Sequence, residues 1–533
     1  MPAELFFRTE DIRTDEILDY LVETEMDRHF IENLKGRSPV VLRGSRGVGK
    51  SFLFKTAEAE LTNDFKDQRV LPVYVTFARA TLITSPTPER FLAWMTSKIC
   101  NQIIRAATNL GLHLPGGSAI SALRGDVSST PSSMERVEQL FENAWRDDSK
   151  SEAPVDVPGP EILRDAVEDL CKAAALRRVT LFIDEAAHVF IPQQQRQFFT
   201  LMRDLRSPYL SVKAAVYPGA TAFGESFQLT HDATLLSLDR NVAADDYASA
   251  MRQLVIRQDP DMKEHLKRSG EAFDALSYSA TGNPRILLKT IARSSPFNVR
   301  RVQGTIREYY REEIWAEHSS LSDRYPGHRD LIDWGRQFME SYVLPNLFKR
   351  NQGRGGVHGD TSSYLWIHRD APQAVREALR LLCYSGILQE GVSGIRATRS
   401  ELGTRYMVNL GCQIAFASEA VAYATTLRQS LSVKRMVEYG ANHPSYKSID
   451  NIAIEAGENF DNQALEARLK TSIDALDLTA FQQQKLQGLG LDTIGKVLAA
   501  KEATFQRAHY VGQVRARQIR NAAVAAVLEY LSG

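Results

Sequence analysis

The most specific chemistry in this sequence lies in Gly44-Ser45-Arg46-Gly47-Val48-Gly49-Lys50-Ser51, which fits the pattern GxxxxGK followed by Ser or Thr. Glycines at that spacing let backbone N–H groups turn inward around phosphate oxygens. A helix starting there adds the positive end of its dipole. Lys50 would reach the β- and γ-phosphates of ATP, and the Ser51 hydroxyl would hold Mg²⁺. A second segment, Val179-Thr180-Leu181-Phe182-Ile183-Asp184-Glu185, is an apolar run that ends in two carboxylates. Asp184 would sit beside the metal, and Glu185 near an attacking water as general base. Such a run also ends many strands that merely lead into a helix, where acids are favoured as caps. The loop upstream tips the reading towards the nucleotide.

These residues need a particular scaffold. Val40 to Arg43 reads as a buried strand after the Ser38-Pro39 break, and the spacing from Phe52 onward is helical. A strand over Val70 to Phe77, helix 160–176, strand Val179 to Asp184, helix 192–205 and strands Val212 to Tyr217 and Thr234 to Asp239 follow. Strands alternating with helices predict an α/β fold with a parallel sheet. Val70 to Phe77 is expected to lie between the loop strand and the strand carrying Asp184. Residues 1–37 read as acidic amphipathic helix. Residues 112–160 (PGGS, GDVSSTPSS, SKSEAPVDVPGPE) read as a flexible insertion holding one helix, Met134 to Trp145. From Ala243 to about Arg311 the pattern is helical.

Together these features resemble AAA+ ATPases, and most of all the origin-recognition initiator clade and its bacterial relatives, over roughly residues 8–310. Met26-Asp27-Arg28-His29-Phe30 is similar to that family's adenine-side helix. Thr281-Gly282-Asn283-Pro284-Arg285 resembles its lid motif, which implies that Arg285 touches the γ-phosphate; the alternative is a solvated arginine at a helix start. The sequence also departs from the family. Tyr217 or Thr221 stands in for the polar sensor residue, often Asn, at the end of the fourth strand. No arginine occurs between Pro218 and Asp239, where a ring ATPase places its finger; Arg203, Arg206 and Arg240 only flank the region. That argues against self-assembly into a hydrolytic ring.

The resemblance continues beyond the lid. A helix over Ala371 to Leu388, then a hairpin of Gln389 to Ala397 and Gly403 to Val408, resembles a winged helix, with NQGRGGVHGDTSS before it reading as mobile. Arg396, Arg399 and Arg405 would then meet DNA phosphates, unless the module serves protein contacts only. Phe505-Gln506-Arg507-Ala508-His509-Tyr510-Val511-Gly512, followed by Ala516 and Ile519, has the spacing of helix–hairpin–helix elements, and with Lys485 to Leu498 upstream residues 473–530 resemble the C-terminal domain of the RNA polymerase α subunit. That implies duplex DNA held by the amides of Val511 and Gly512 and by Arg515 and Arg517, although such modules also dock proteins. Tyr510 stands where the family's hairpin often has glycine.

The bulk composition fits this plan. At 533 residues, 43% hydrophobic and 24% charged, the chain holds several cores at about 150 residues each. The expected domains are an ATPase core (1–242), a helical lid (243–315), a winged-helix-like domain (320–430) and a helix–hairpin–helix domain (470–533). The 65 basic residues equal the 65 acidic ones, so any nucleic-acid face must be local. Cys100, Cys171, Cys383 and Cys412 form no CxxC pair, which fits a reducing cytoplasm. The acidic start is not a signal peptide, and no run approaches the ~20 apolar residues of a membrane span. The expected function is slow ATP hydrolysis whose nucleotide state controls DNA engagement. The alternative is a STAND-like signalling switch, as in bacterial defence, whose C-terminal modules dock protein partners or further copies of the chain.

Overall fold

The computed structural model describes residues 5–78, 88–112, 118–124, 132–143, 157–186, 192–219, 221–224, 226–324, 326–354, 358–398, 400–449 and 462–531. Two compact units emerge. The first comprises Met1–Asn241, Asp246–His265 and Asn283–Lys289; the second comprises Val242–Asp245, Leu266–Gly282 and Thr290–Gly533.

The first unit is built on five parallel strands: β1 (Val40–Arg43), β2 (Val70–Thr76), β3 (Arg178–Asp184), β4 (Leu210–Val216) and β5 (Thr234–Ser237). Their order is β2-β3-β4-β1-β5. The α/β expectation holds, but β2 does not lie between β1 and β3. It is an edge strand paired with β3, and β4 fills the gap, with Leu42 opposite Ala215 and Leu181 opposite Val212. Order in a parallel sheet follows from the crossovers, not from distance along the chain.

Both faces of the sheet are covered, as its strands require. Val40, Leu42, Phe182 and Ala215 face one way, against helices α1 (Glu25–Lys35) and α2 (Lys50–Asn63), with Phe54 packed on Phe182. Val41, Val73, Leu181 and Val212 face the other way. That core takes in buried side chains of α3 (Pro88–Asn109), α4 (Ser118–Arg124), α6 (Pro160–Ala173) and α7 (Pro192–Asp204). Period-2 alternation with apolar residues on both faces is the pattern of a doubly covered parallel sheet.

Two expectations need correction. The N-terminal segment is not one helix: short turns at Thr9–Asp11 and Ile17–Tyr20 precede α1, which starts where Thr24 and Asp27 form a reciprocal cap. Among the described residues, 112–160 hold two helices rather than one, α4 and α5 (Ser133–Asn143). Leu123 and Val137 are buried, and Lys98 of α3 pairs with Glu138 at 2.9 Å and Glu142 at 2.7 Å. Trp145 and the stretches 113–117, 125–131 and 144–156 lie outside the described residues.

The second unit holds a four-stranded sheet, β6 (Tyr364–His368), β7 (Leu388–Arg396), β8 (Leu402–Val408) and β9 (Val437–Tyr439), in the order β7-β8-β6-β9. The expected hairpin is β7–β8. A Cβ at Gly403 would collide with the Trp366 ring and the Ile367 carbonyl, so glycine lets β8 close on β6. The segment expected to be mobile is anchored at its ends. Thr361, Ser362 and Ser363 are fully buried, and Asn351 exchanges hydrogen bonds of 2.9 and 2.8 Å with Ser362. Residues 355–357 of that segment lie outside the described residues.

Candidate functional sites

Lys50 opens α2, directly after Gly49 in left-handed backbone (φ 108°). Gly47 is also left-handed (φ 86°), and a Cβ there would come within 2.9 Å of Asn283 and Arg285 side-chain atoms. At Gly47 the loop therefore has no room for a side chain, while at Gly49 it is the left-handed backbone that favours glycine. Val48 anchors it in the core below, and Ser45 is buried. The Lys50 ammonium is buried, donating to the Gly44 carbonyl at 2.6 Å and the Ser45 carbonyl at 3.0 Å, and lies 3.9 Å from the centre of the Tyr217 ring. Burial pushes its pKa down to about 7, against the pull of Asp184, its strongest anionic neighbour. Ser51 follows in the first turn of α2.

Asp184 ends β3. It is held from two sides: the Tyr74 hydroxyl donates to one oxygen at 2.6 Å and the Glu185 amide to the other at 2.9 Å. Tyr74 escaped the sequence reading; its signal was the single aromatic residue, with a polar tip, in the apolar strand Val70–Thr76. Glu185 takes left-handed backbone (φ 57°), which costs a residue with a Cβ about 1 kcal/mol or more. Burial, and secondarily Asp184, raises its carboxyl pKa, while Arg46 and Lys50 oppose the shift. A half-buried carboxylate with a raised pKa meets a usual condition of a general base.

Arg285, in the first turn of helix α8 (Pro284–Arg293), lies at the rim of the glycine loop. Its amide donates to the Gly47 carbonyl at 3.4 Å and its Nε to the Phe7 carbonyl at 3.0 Å, while Asn283 donates to the Arg46 carbonyl at 2.8 Å. Tyr217 places its ring, not a polar tip, beside Lys50, and the Thr221 hydroxyl turns back to the Tyr217 carbonyl at 2.8 Å. The three flanking arginines are engaged within the chain. Arg203 bonds Asp204 and the Ser226 carbonyl, Arg206 pairs with Asp232, and Arg240 pairs with buried Asp27 at 2.9 Å.

The residues present fit a magnesium nucleotide. A glycine cradle that a Cβ would fill, a buried cation lacking a full counter-charge, and a hydroxyl and carboxylate of the oxygen type Mg²⁺ prefers all belong to this unit. Lys50 and Gly44–Ser51 would hold the phosphates, with Ser51 and Asp184 on the metal.

In the second unit, helix α9 (Gln373–Tyr384) stands between β6 and β7, where a winged helix carries its reading helix. Here Ala374, Val375, Glu377, Ala378, Leu379, Leu381, Leu382, Cys383 and Tyr384 are all buried. The polar stripe left on it is Gln373, Arg376 and Arg380, of which Arg376 is exposed and Arg380 is ion-paired with Glu377. Arg405 lies along the Tyr364 ring and donates to the Val433 carbonyl at 3.2 Å; Arg396 is exposed, and Arg399 lies outside the described residues.

The tail folds around a core of its own, including Leu486, Ile494, Val497, Phe505, Val511, Ala516 and Ile519. Its helices include α10 (Ala480–Gly488), α11 (Ile494–Ala499) and α12 (Gln513–Leu531). Three expected DNA contacts change here. The Val511 amide is spent on the Ala508 carbonyl at 3.0 Å and its side chain is buried. Arg517 is ion-paired with Glu502, its side chain 12% exposed, so its charge is already used. The left-handed residue of the turn is Tyr510 (φ 68°), not Gly512, which has open space around it. Arg515 is exposed and donates to the Tyr510 carbonyl at 2.6 Å. Asn521 of α12 docks on α9, accepting from the Gln373 amide at 2.8 Å.

No family model and no curated protein matches the chain. Among solved structures it is similar to the Aeropyrum pernix ORC1 protein in complex with DNA, at 13% identity over 75% of this chain and 92% of that one, TM-score 0.31. It is also similar to the Aeropyrum pernix ORC2 protein in ADPNP–ADP complexes, at 12% identity over 80% and 95%, TM-score 0.34. A third is domain III of the Thermotoga maritima replication initiation protein DnaA, at 12% over 58% and 99%, TM-score 0.27. Function is read below from the residues themselves.

Proposed function

We propose that the chain binds Mg·ATP in the Gly44–Ser51 loop, hydrolyses it slowly, and uses the nucleotide state to control engagement of DNA by its C-terminal half. The observation that carries this reading is the buried Lys50 ammonium inside a glycine cradle, opposed by Asp184 and with Glu185 next in sequence. An anion on Lys50 restores the charge that burial disfavours. When bound, Mg²⁺ supplies charge neutralisation at the phosphates. The chain supplies Ser51 and Asp184 as oxygen ligands, Tyr74 to orient Asp184, Glu185 to take a proton from water, and Arg285 at the loop rim.

Glu185→Gln tests the assignment. It keeps shape and removes the base, so ATP should bind as tightly as in the wild type while turnover falls by roughly a hundredfold or more. Wild-type turnover in this variant would refute the role of Glu185. A signalling switch that docks proteins is the second reading. It is favoured by the intrachain pairing of Arg203, Arg206 and Arg240. Gel shifts with duplex and single-stranded DNA, with and without ATP, separate the two.

A further inference from the structure

The tail keeps large apolar side chains in water. Tyr510 is 73% exposed, Val514 53% and Phe481 37%. They are linked: Arg515 lies 5.2 Å over the Phe481 ring and donates to the Tyr510 carbonyl, and Lys485 lies 5.2 Å from the same ring. The platform is thus assembled from α10, the 506–512 turn and the first turn of α12.

The charge around it selects a polyanion. From Thr479 to Asn521 there are seven Lys and Arg residues and two acids, Asp492 and Glu502. Both acids are already paired, with Lys496 at 2.7 Å and with Arg517. Lys485, Arg507 and Arg515 have no ion pair among the described residues and remain for a ligand. Yet the devices that grip a duplex backbone are depleted here. Arg517 is spent on Glu502, Arg520 reaches the carbonyl of Ala500 at 2.7 Å, and the Val511 amide is spent on Ala508. What is exposed instead is aromatic surface. A duplex hides the faces of its bases, whereas a single strand offers them for stacking.

Tyr510 sharpens the point. At φ 68° glycine would sit without strain, but the turn carries a tyrosine whose ring projects into solvent, with His509 edge-on at 4.1 Å. The ring contributes nothing to the core to offset its backbone strain.

We propose that the face formed by Phe481, Lys485, Tyr510, Val514 and Arg515 binds single-stranded nucleic acid by stacking its bases on the two rings. This rests on the reading that the C-terminal half engages DNA and specifies the form of DNA it takes.

The test uses the full chain and fluorescence anisotropy with a fluorescein-labelled oligothymidylate of about 12 nucleotides, a duplex of equal length and an abasic oligomer. The single strand should bind at least tenfold more tightly than either other probe. Tyr510→Gly removes the ring and relieves the positive φ. It should therefore weaken oligothymidylate binding about tenfold, leave duplex binding unchanged and not lower the melting temperature. Phe481→Leu, which keeps apolar bulk, should weaken the same probe severalfold. Equal binding of the single strand by Tyr510→Gly and wild type overturns the stacking proposal. Tighter wild-type binding to duplex than to single strand overturns it too, while leaving DNA engagement intact. Binding to none of the three probes overturns both and turns the face over to a protein partner.

Discussion

Replacing Lys50 with methionine separates two effects of opposite sign that meet at one atom. Methionine keeps the length and apolar bulk of the lysine stem and deletes its charge. In the nucleotide site that charge would sit about 4 Å from phosphate oxygens, where a unit charge pair at an effective dielectric of about 20 attracts by about 4 kcal/mol. Losing it should weaken ATP binding by roughly a thousandfold, since each 1.4 kcal/mol is tenfold. For the fold itself the sign reverses. Burial already pushes Lys50 down to about 7 despite the pull of Asp184 and Glu185, so at neutral pH the ammonium is held against its desolvation, donating only to the Gly44 and Ser45 carbonyls beside the Tyr217 ring. Its removal should leave the melting temperature without nucleotide unchanged or higher. Titration with a fluorescent ATP analogue gives the first quantity and a thermal melt the second. A loss of affinity below about tenfold, or a melting temperature that falls as far as binding does, would refute the reasoning and make Lys50 a structural lysine.

Lys213, in the middle of β4, is fully buried and donates to the Gly36 carbonyl at 2.8 Å and to Ser38, capping the end of α1. Burial lowers its pKa from 10.5 to about 7, so between those values the folded chain binds fewer protons than the unfolded chain and this site adds stability as pH rises. Lys213→Met should cost about 2 kcal/mol at pH 9 through its orphaned carbonyls, and the gap from wild type should narrow towards pH 7; melts at the two pH values check the sign. Arg517→Ala should destabilise the tail by about 1–3 kcal/mol by stranding Glu502 while barely changing nucleic-acid binding, and Arg515→Ala should do the reverse, as melts and anisotropy on the two variants would show.

The chemistry written within a few consecutive residues was legible. The glycine loop and the Asp184-Glu185 strand end are local patterns, and the structure places both in one unit, on parallel strands of one sheet. The strand between them was not legible. Seen along the chain, Val70–Thr76 comes next after the loop helix, but the sheet inserts Leu210–Val216 instead, because the crossover helices decide which strand lands beside β1. Tyr74 was missed for the same reason: it meets Asp184 only because β2 pairs with β3 in the register Thr76 to Asp184.

Charge shows the same boundary between composition and structure. Four arginines in 507–520 are visible in the sequence, and each looks equally available to a phosphate. The fold divides them. Helix α12 turns Arg517 towards Glu502, fifteen residues back, and Arg520 towards the end of α11, while Arg507 and Arg515 stay outside. An arginine withdrawn into such pairs adds rigidity to the hairpin and removes one phosphate contact, so each pairing lowers the salt dependence expected of binding. The aromatic rings are not withdrawn, because Phe505 and Val511 already fill the core beneath them. Once the inward positions are taken, Phe481 and Tyr510 have only solvent or a ligand to meet, and a face with few available cations and two exposed rings is better matched to bases than to a phosphate backbone alone.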